Sequence, residues 1–268
     1  MAVVRVERRG PFRLVTLDDP DRYNALTSGM VTELKDAFAA LREDRDARVV
    51  ILSANGKGFC SGANMTGGDE LAPMARDRGP VGTVQYAQEH LAELMLAIRE
   101  ARQPVIGTFH GGSVGGGLAL ALACDLRIAT EDAFFAAHFV KVGMSSCDVG
   151  TSYTLPRIVG PTVAAELMLT GRRFGAWEAH RLGMLNQVVP AREDLLPAAE
   201  ELAAAIAANS EFGTYMTKIG MWANLDAPSL RHAMELENRT QVLATFTGNM
   251  TEAGKAFVEK RDPEWRPM

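Results

Sequence analysis

Two glycine-rich stretches are the parts of this sequence best suited to chemistry: NGKGFCSGANM at 55–65 and HGGSVGGG at 110–117. Each follows a short, continuous apolar run, RVVILS at 48–53 and PVIGTF at 104–109, of the kind that forms a strand buried on both faces. Glycine lets a turn present its backbone N–H groups without obstruction. The second stretch also opens an apolar helix at 117–124, and a helix N-terminus adds unpaired N–H groups at the positive end of its dipole. Two such turns on neighbouring strands aim two donors at one developing oxyanion. Other glycine chemistries fail on spacing. The sequence has no GxxxxGK[ST], and no GxGxxG follows either strand. One rival pattern does match. Gly111 to Gly115 reads G-x-S-x-G between a strand and a helix, with Asp148 and His180 downstream, so a serine hydrolase using Ser113 stands as an alternative.

The elements that must position these turns alternate along the first part of the chain. Strands are expected at 3–7 and 12–17 around a Gly10-Pro11 turn. Thr27 or Ser28 caps a helix to about residue 45, with Met30, Leu34, Phe38 and Leu41 on one face. A helix at 91–101 precedes the second buried strand, and further strands are expected at 126–129 and 134–135. This strand–helix–strand rhythm indicates an α/β chain with a mainly parallel sheet. The stretch 66–83, rich in glycine, proline and charge, reads as a loop. After Pro190 the pattern is almost wholly helical, with helices at 195–208, 212–223, 230–245 and 251–260. Their wide apolar faces need covering by the core or by another subunit. The expected organisation is therefore a core over 1–190 and a helical region over 191–268.

Composition limits the partners. The 268 residues carry 28 Lys and Arg against 33 Asp and Glu, a net charge of −5, which supplies no broad basic face for nucleic acid. No apolar run of about 18 residues spans a membrane. The N-terminal MAVVRVERRG lacks a signal peptide's apolar segment. Cys60, Cys124 and Cys147 form no C-x-x-C pair, so neither a disulfide framework nor a zinc ribbon is indicated. The expected location is the cytoplasm.

Several segments, in order, resemble the enoyl-CoA hydratase/isomerase (crotonase) family. They are PDRYNALT (20–27), GKGFCSGANM (56–65), PVIGTFHGGSVGGGLALALACDLRIA (104–129), LPRIVG (155–160), LTGRRFGAWEAHRLGMLNQVVP (169–190) and AFVEKR (256–261). The resemblance implies a spiral of ββα units with two roughly perpendicular sheets. A helical C-terminal region would assemble trimers or dimers of trimers. It implies acyl-CoA substrates, and no separate cofactor or metal, because CoA arrives as part of the substrate. It assigns the oxyanion donors to the amides of Ser61 and Gly116. Arg22 and Lys57 would lie near the CoA phosphates, with Asn24 in the substrate-binding set. The backbone of Ala63, Asn64 and Met65 would meet the adenine, and Phe257 and Lys260 would reach CoA from a neighbouring subunit. Under this resemblance Ser113 has no nucleophilic role.

The same resemblance exposes a departure. Hydratases of the family use two glutamates for paired acid/base work on the double bond. The matching positions here are Ala119 and Phe139, the latter followed by Val140 and Lys141. Neither replacement exchanges a proton, so plain hydration is not expected. Asp148, in a D-x-G context similar to that of dienoyl-CoA isomerases and dehalogenases of the superfamily, is the candidate acid/base group, with His138 as its possible partner. Asp69 and Glu70 are expected to be solvated, and Asp125 to be structural. A binding protein that has lost catalysis remains an alternative.

Overall fold

The computed structural model describes residues 2–64 and 77–268. A six-stranded sheet runs in the order β1-β2-β3-β4-β6-β9, where β1 is Val4–Arg9, β2 Phe12–Leu17, β3 Val49–Ala54, β4 Val105–Phe109, β6 Leu126–Thr130 and β9 Gln187–Val189. Only β1 and β2 pair antiparallel; the rest of the sheet is parallel. The edge strand β1 is mostly exposed and carries Arg5, Glu7, Arg8 and Arg9, charges that discourage pairing with another sheet. A second sheet, β5-β7-β8, joins Gly112–Val114, Phe134–Ala136 and Phe174–Gly175. The expected α/β class is observed.

Helix α1 (Ser28–Glu43) is capped as expected, with Thr27 Oγ1 accepting from the Met30 N–H at 3.1 Å. Met30, Leu34, Phe38 and Leu41 are all buried, because their spacing puts them on one stripe. They join the main core with α2 (Gly79–Arg99) and α3 (Gly116–Ala123). The start of α2 differs from the sequence expectation by twelve residues. Pro80 sits in its first turn, where a missing N–H costs nothing, and Val81 and Val84 are exposed, so no apolar period marks this part as helix. Helices α4 (Thr151–Val159) and α5 (Pro161–Thr170) were not expected either. Pro156, Gly160 and Pro161 break the pattern there, and Gly160 at φ +83° turns one helix into the other. Helix α6 (Ala176–Arg181) follows β8.

Helix α7 (Leu195–Ala207) lays Leu195, Ala199 and Ala203 against Val49, Ile51, Ile106 and Ile128, covering the second face of the large sheet. It therefore belongs to the core. Helices α8 (Glu211–Asn224), α9 (Leu230–Thr245) and α10 (Asn249–Glu259) lie beyond it, and no residue of α9 is buried. Asp125 ties α8 to the sheet. Its Oδ2 accepts from the Val105 N–H at 2.8 Å and pairs with Lys218 Nζ at 2.8 Å, while Oδ1 accepts from Trp222 Nε1 at 3.0 Å. Lys218 also donates to Gln103 O at 2.9 Å. Such a buried pair persists because its remaining hydrogen-bonding groups are filled. Asp125 thus has the structural role expected of it.

Candidate active site

The two glycine turns leave the same end of the neighbouring parallel strands β3 and β4. They are bonded main chain to main chain. The Phe59 N–H donates to His110 O at 2.9 Å, Cys60 N–H to Gly112 O at 3.1 Å, and Val114 N–H to Cys60 O at 3.0 Å. A Cβ on Gly117 would lie 2.2 Å from Cys60 O, so glycine is the residue that lets the turns meet. The second turn does not run straight into α3, as the sequence suggests. It first forms β5, which carries the chain from the large sheet to the small one.

Gly116 opens α3, and its N–H donates to no backbone carbonyl among the described residues. The expected second donor, Ser61, is not available. Its N–H is committed to Tyr23 O at 3.0 Å. The amide left over is that of Ala63, which likewise has no backbone acceptor among the described residues. The two are close: a Cβ on Gly116 would stand 3.6 Å from the Ala63 nitrogen, and a Cβ on Gly62 3.2 Å from the Gly116 nitrogen. Gly62, at φ +95°, makes the reversal that frees the Ala63 N–H.

Asn24 belongs to the framework rather than to a ligand surface. It is fully buried, and its Nδ2 faces Asn55 O, Gly58 O and Phe59 O at 2.8–3.2 Å while its Oδ1 accepts from the Asp19 N–H at 2.8 Å. Tyr23 and Asn24 both have left-handed backbone, φ +53° and +51°. That reversal presents the Tyr23 carbonyl to Ser61.

Ala119 is buried one turn into α3 from Gly116. Phe139 is also buried, with its ring edge 3.7 Å from where a Gly115 Cβ would be. Apolar groups therefore flank the amide pair. Asp148 precedes α4 and is half-buried. Its Oδ1 accepts from Gln88 Nε2 on α2 and from the Val149 N–H at 2.9 Å, and its carbonyl accepts from the Thr151 N–H at 2.8 Å. Val149 has φ +40°, an outlier for a β-branched residue, so the turn carrying Asp148 stores strain. His138 is not paired with Asp148 as expected. Its Nδ1 is buried with no partner among the described residues. Burial, with Arg173 and Lys141 nearby, holds its pKa below the usual range. Ser113 is fully buried, its Oγ has no partner among the described residues, and no imidazole touches it. That is not the exposed nucleophile a serine hydrolase needs. Burial pushes the thiols of Cys60 and Cys124 up to about 12, which leaves them unreactive.

Arg22 and Lys57 are exposed at one edge of the first turn. Beside them, Arg192 donates to Gly56 O at 2.9 Å, a cation the sequence reading did not single out. Asn64 lines a cavity of about 290 Å³ with Ala63, Gln88 and His90. Met65, Asp69 and Glu70 lie outside the described residues. Phe257 and Lys260 are exposed on α10 and its C-cap. The residues of α2 in this cavity were missed because the helix was expected to begin at residue 91. His90 faces Lys35 Nζ with Nδ1 and Thr32 Oγ1 with Nε2, both at 3.1 Å. An ammonium can only donate, so Nδ1 accepts, Nε2 carries the proton, and the ring is neutral.

Known proteins resemble this chain over nearly its whole length. The Enoyl-CoA hydratase/isomerase family profile matches residues 8–267. A probable enoyl-CoA hydratase of Mycobacterium leprae is 40% identical over 252 residues, 92% of this chain and 84% of that protein. The peroxisomal Delta(3,5)-Delta(2,4)-dienoyl-CoA isomerase of Arabidopsis thaliana is 31% identical over 261 residues, 96% of this chain and 93% of that one. The crystal structure of a probable enoyl-CoA hydratase/isomerase from Mycobacterium abscessus superposes with a TM-score of 0.92 at 37% identity, covering 99% of each chain.

Two outcomes follow from this geometry. Asn24→Ala leaves buried carbonyls and an N–H unpaired and is expected to cost about 3 kcal/mol, a fall in Tm of roughly 6–12 °C. A shift under about 1 °C in scanning calorimetry would contradict the clamp. The second concerns pH. Burial is the leading cause that lowers the pKa of His90, His110 and His138. Near pH 6 the unfolded chain then binds more protons than the folded one, so stability falls as pH drops from about 7.5 through the unfolded histidine value of about 6.5. Urea midpoints at pH 7.5 and 5.5 check this, and a higher midpoint at 5.5 would contradict it.

Proposed function

Because the chain belongs to the enoyl-CoA hydratase/isomerase family, we propose that it binds an acyl-CoA thioester and stabilises the thioester enolate, or a related oxyanion, with the N–H groups of Ala63 and Gly116. The observation that carries this reading is the adjacent pair of amides with no backbone acceptor among the described residues, one of them at a helix N-terminus. A thioester carbonyl gains negative charge at oxygen in the transition state. Each preorganised donor aimed there contributes roughly 3–4 kcal/mol.

Plain hydration through two glutamates is not the reaction we assign, since Ala119 and Phe139 hold no exchangeable proton. We assign proton transfer at the acyl carbons to Asp148. Its turn lies between two cavities: Gln88, its hydrogen-bond donor, lines the one containing Ala63, and Val149 lines the one containing Ala119. The strain at Val149 is of the kind that persists where function requires it. Proton transfer toward and away from the α and γ carbons gives isomerisation of a double bond; His138, unpaired with Asp148, takes no part in it. Arg22 and Lys57 meet the CoA phosphates, and Ala63, Asn64 and Met65 the nucleotide. The apolar groups around the amides favour a second reading, a CoA-thioester-binding protein without turnover.

Met234, Val242, Leu243 and Phe246 on α9, with Met250, Phe257 and Val258 on α10, are exposed in the single chain. Such a surface supports assembly through the C-terminal helices, as a trimer or dimer of trimers with Phe257 and Lys260 reaching a neighbour's CoA. The three free cysteines support a cytoplasmic location.

Asp148→Asn is expected to lower kcat at least 100-fold on whichever enoyl- or dienoyl-CoA is turned over, with thioester affinity within about twofold of the parent. Unchanged kcat would refute the assignment. Binding without turnover by the parent protein across the panel would establish the second reading. Light scattering is expected to report three or six chains per particle, and a monomer at micromolar concentration would refute the assembly.

A further inference from the structure

A second, larger cavity of about 590 Å³ begins at Ala119 and Val149 and runs between α2, α4 and α8. Its size is that of a site for a medium-sized ligand. Ala119 lies three residues along α3 from Gly116, a rise of about 5 Å. A thioester carbonyl held at Gly116 would therefore direct its acyl group into this space. The side chain at 119 is a single methyl group and takes little of that space.

The walls are aromatic and aliphatic, with Trp222, Tyr215 and Ile219 from α8 and Tyr153 from α4. Most of the charges in them are matched. Arg157 pairs with Asp226 at 2.9 Å, Tyr153 donates to the same carboxylate, and Lys218 pairs with Asp125 at 2.8 Å. Arg99 and Glu100 have no ion pair among the described residues. The Arg99 guanidinium stacks on the Trp222 indole at 3.7 Å, and Nη2 donates to Leu122 O. Its buried Nη1 has no acceptor among the described residues. Glu100, the C-cap of α2, lines the cavity as well but is exposed, whereas the Arg99 guanidinium is partly buried. A partly buried guanidinium with an unpartnered N–H in a mainly apolar wall calls for an anionic acceptor.

We propose that this cavity takes the distal part of the acyl group and that Arg99 selects acyl groups ending in a carboxylate, the mono-CoA thioesters of α,ω-diacids. This rests on the acyl-CoA reading above. Arg99 fixes which thioester is held and takes no part in proton transfer.

The test is calorimetric binding of free CoA and of two thioester series to the full chain. One series carries ω-carboxy acyl groups of four to ten carbons, and the other the matching methyl-ended groups. At the best chain length the carboxylate is expected to bind at least tenfold more tightly than its methyl-ended counterpart. Arg99→Gln is expected to bring the two within twofold, and Arg99→Lys, which keeps the charge without the planar stack, to retain part of the preference. Equal affinities in the parent protein would overturn the proposal without any variant, as would a preference that survives Arg99→Gln. If neither series nor CoA binds, the acyl-CoA reading fails and the proposal with it. If both series bind alike, only the selectivity fails.

Discussion

The carbonyl of Cys60 accepts a hydrogen bond from Val114 and lies so near Gly117 that no side chain fits between them. That contact sets the separation of the two turns, and with it the separation of the Ala63 and Gly116 amides. The supports converge on it. Strands β3 and β4, buried on both faces, fix where the turns begin. Asn24 binds three carbonyls of the first turn. Tyr23 takes the Ser61 amide and so decides which N–H is left for a ligand. The small sheet holds the other turn through β5 and β7. Donors fixed in this way need little rearrangement when charge develops, which is how fixed dipoles outperform mobile ones.

Much of this was legible from residue pattern. The two apolar runs, the capped α1 and the pair of glycine turns need only periodicity and propensity, and the structure has all of them. Which amide of the first turn is left without a backbone acceptor was not legible. Ser61 and Ala63 are two residues apart in one turn, and the choice depends on a hydrogen bond to Tyr23, distant in sequence and held by a left-handed backbone that a Tyr-Asn pair does not advertise. Asn24 reads as a polar residue in a motif that meets ligand, yet all its hydrogen bonds point inward. Helix α2 was hidden for a different reason. Its first half is stabilised by neighbours on one side only and has no apolar stripe to read. With it went Gln88 and His90, the residues that border the amide pair.

The two cavities differ in what they add to a mainly apolar lining. The smaller one includes Asn64, a neutral histidine and the amide that holds Asp148. The larger one is aromatic toward α8, and Asp125 fixes that wall through Lys218 and Trp222. Helix α8 thus shapes the space near Ala119, while α7 covers the second face of the large sheet.

An amide at the centre of a site has an unusual genetic property. Almost any codon at position 63 still encodes an N–H, and only proline deletes it. The side chains proposed to set the chemistry at a bound carbonyl, at 119, 139 and 148, are read from separate positions. A lineage can therefore exchange one reaction for another by a few substitutions while the anchoring step never passes through a broken intermediate. Ala119 and Phe139 can be exchanged in that way without touching the amides.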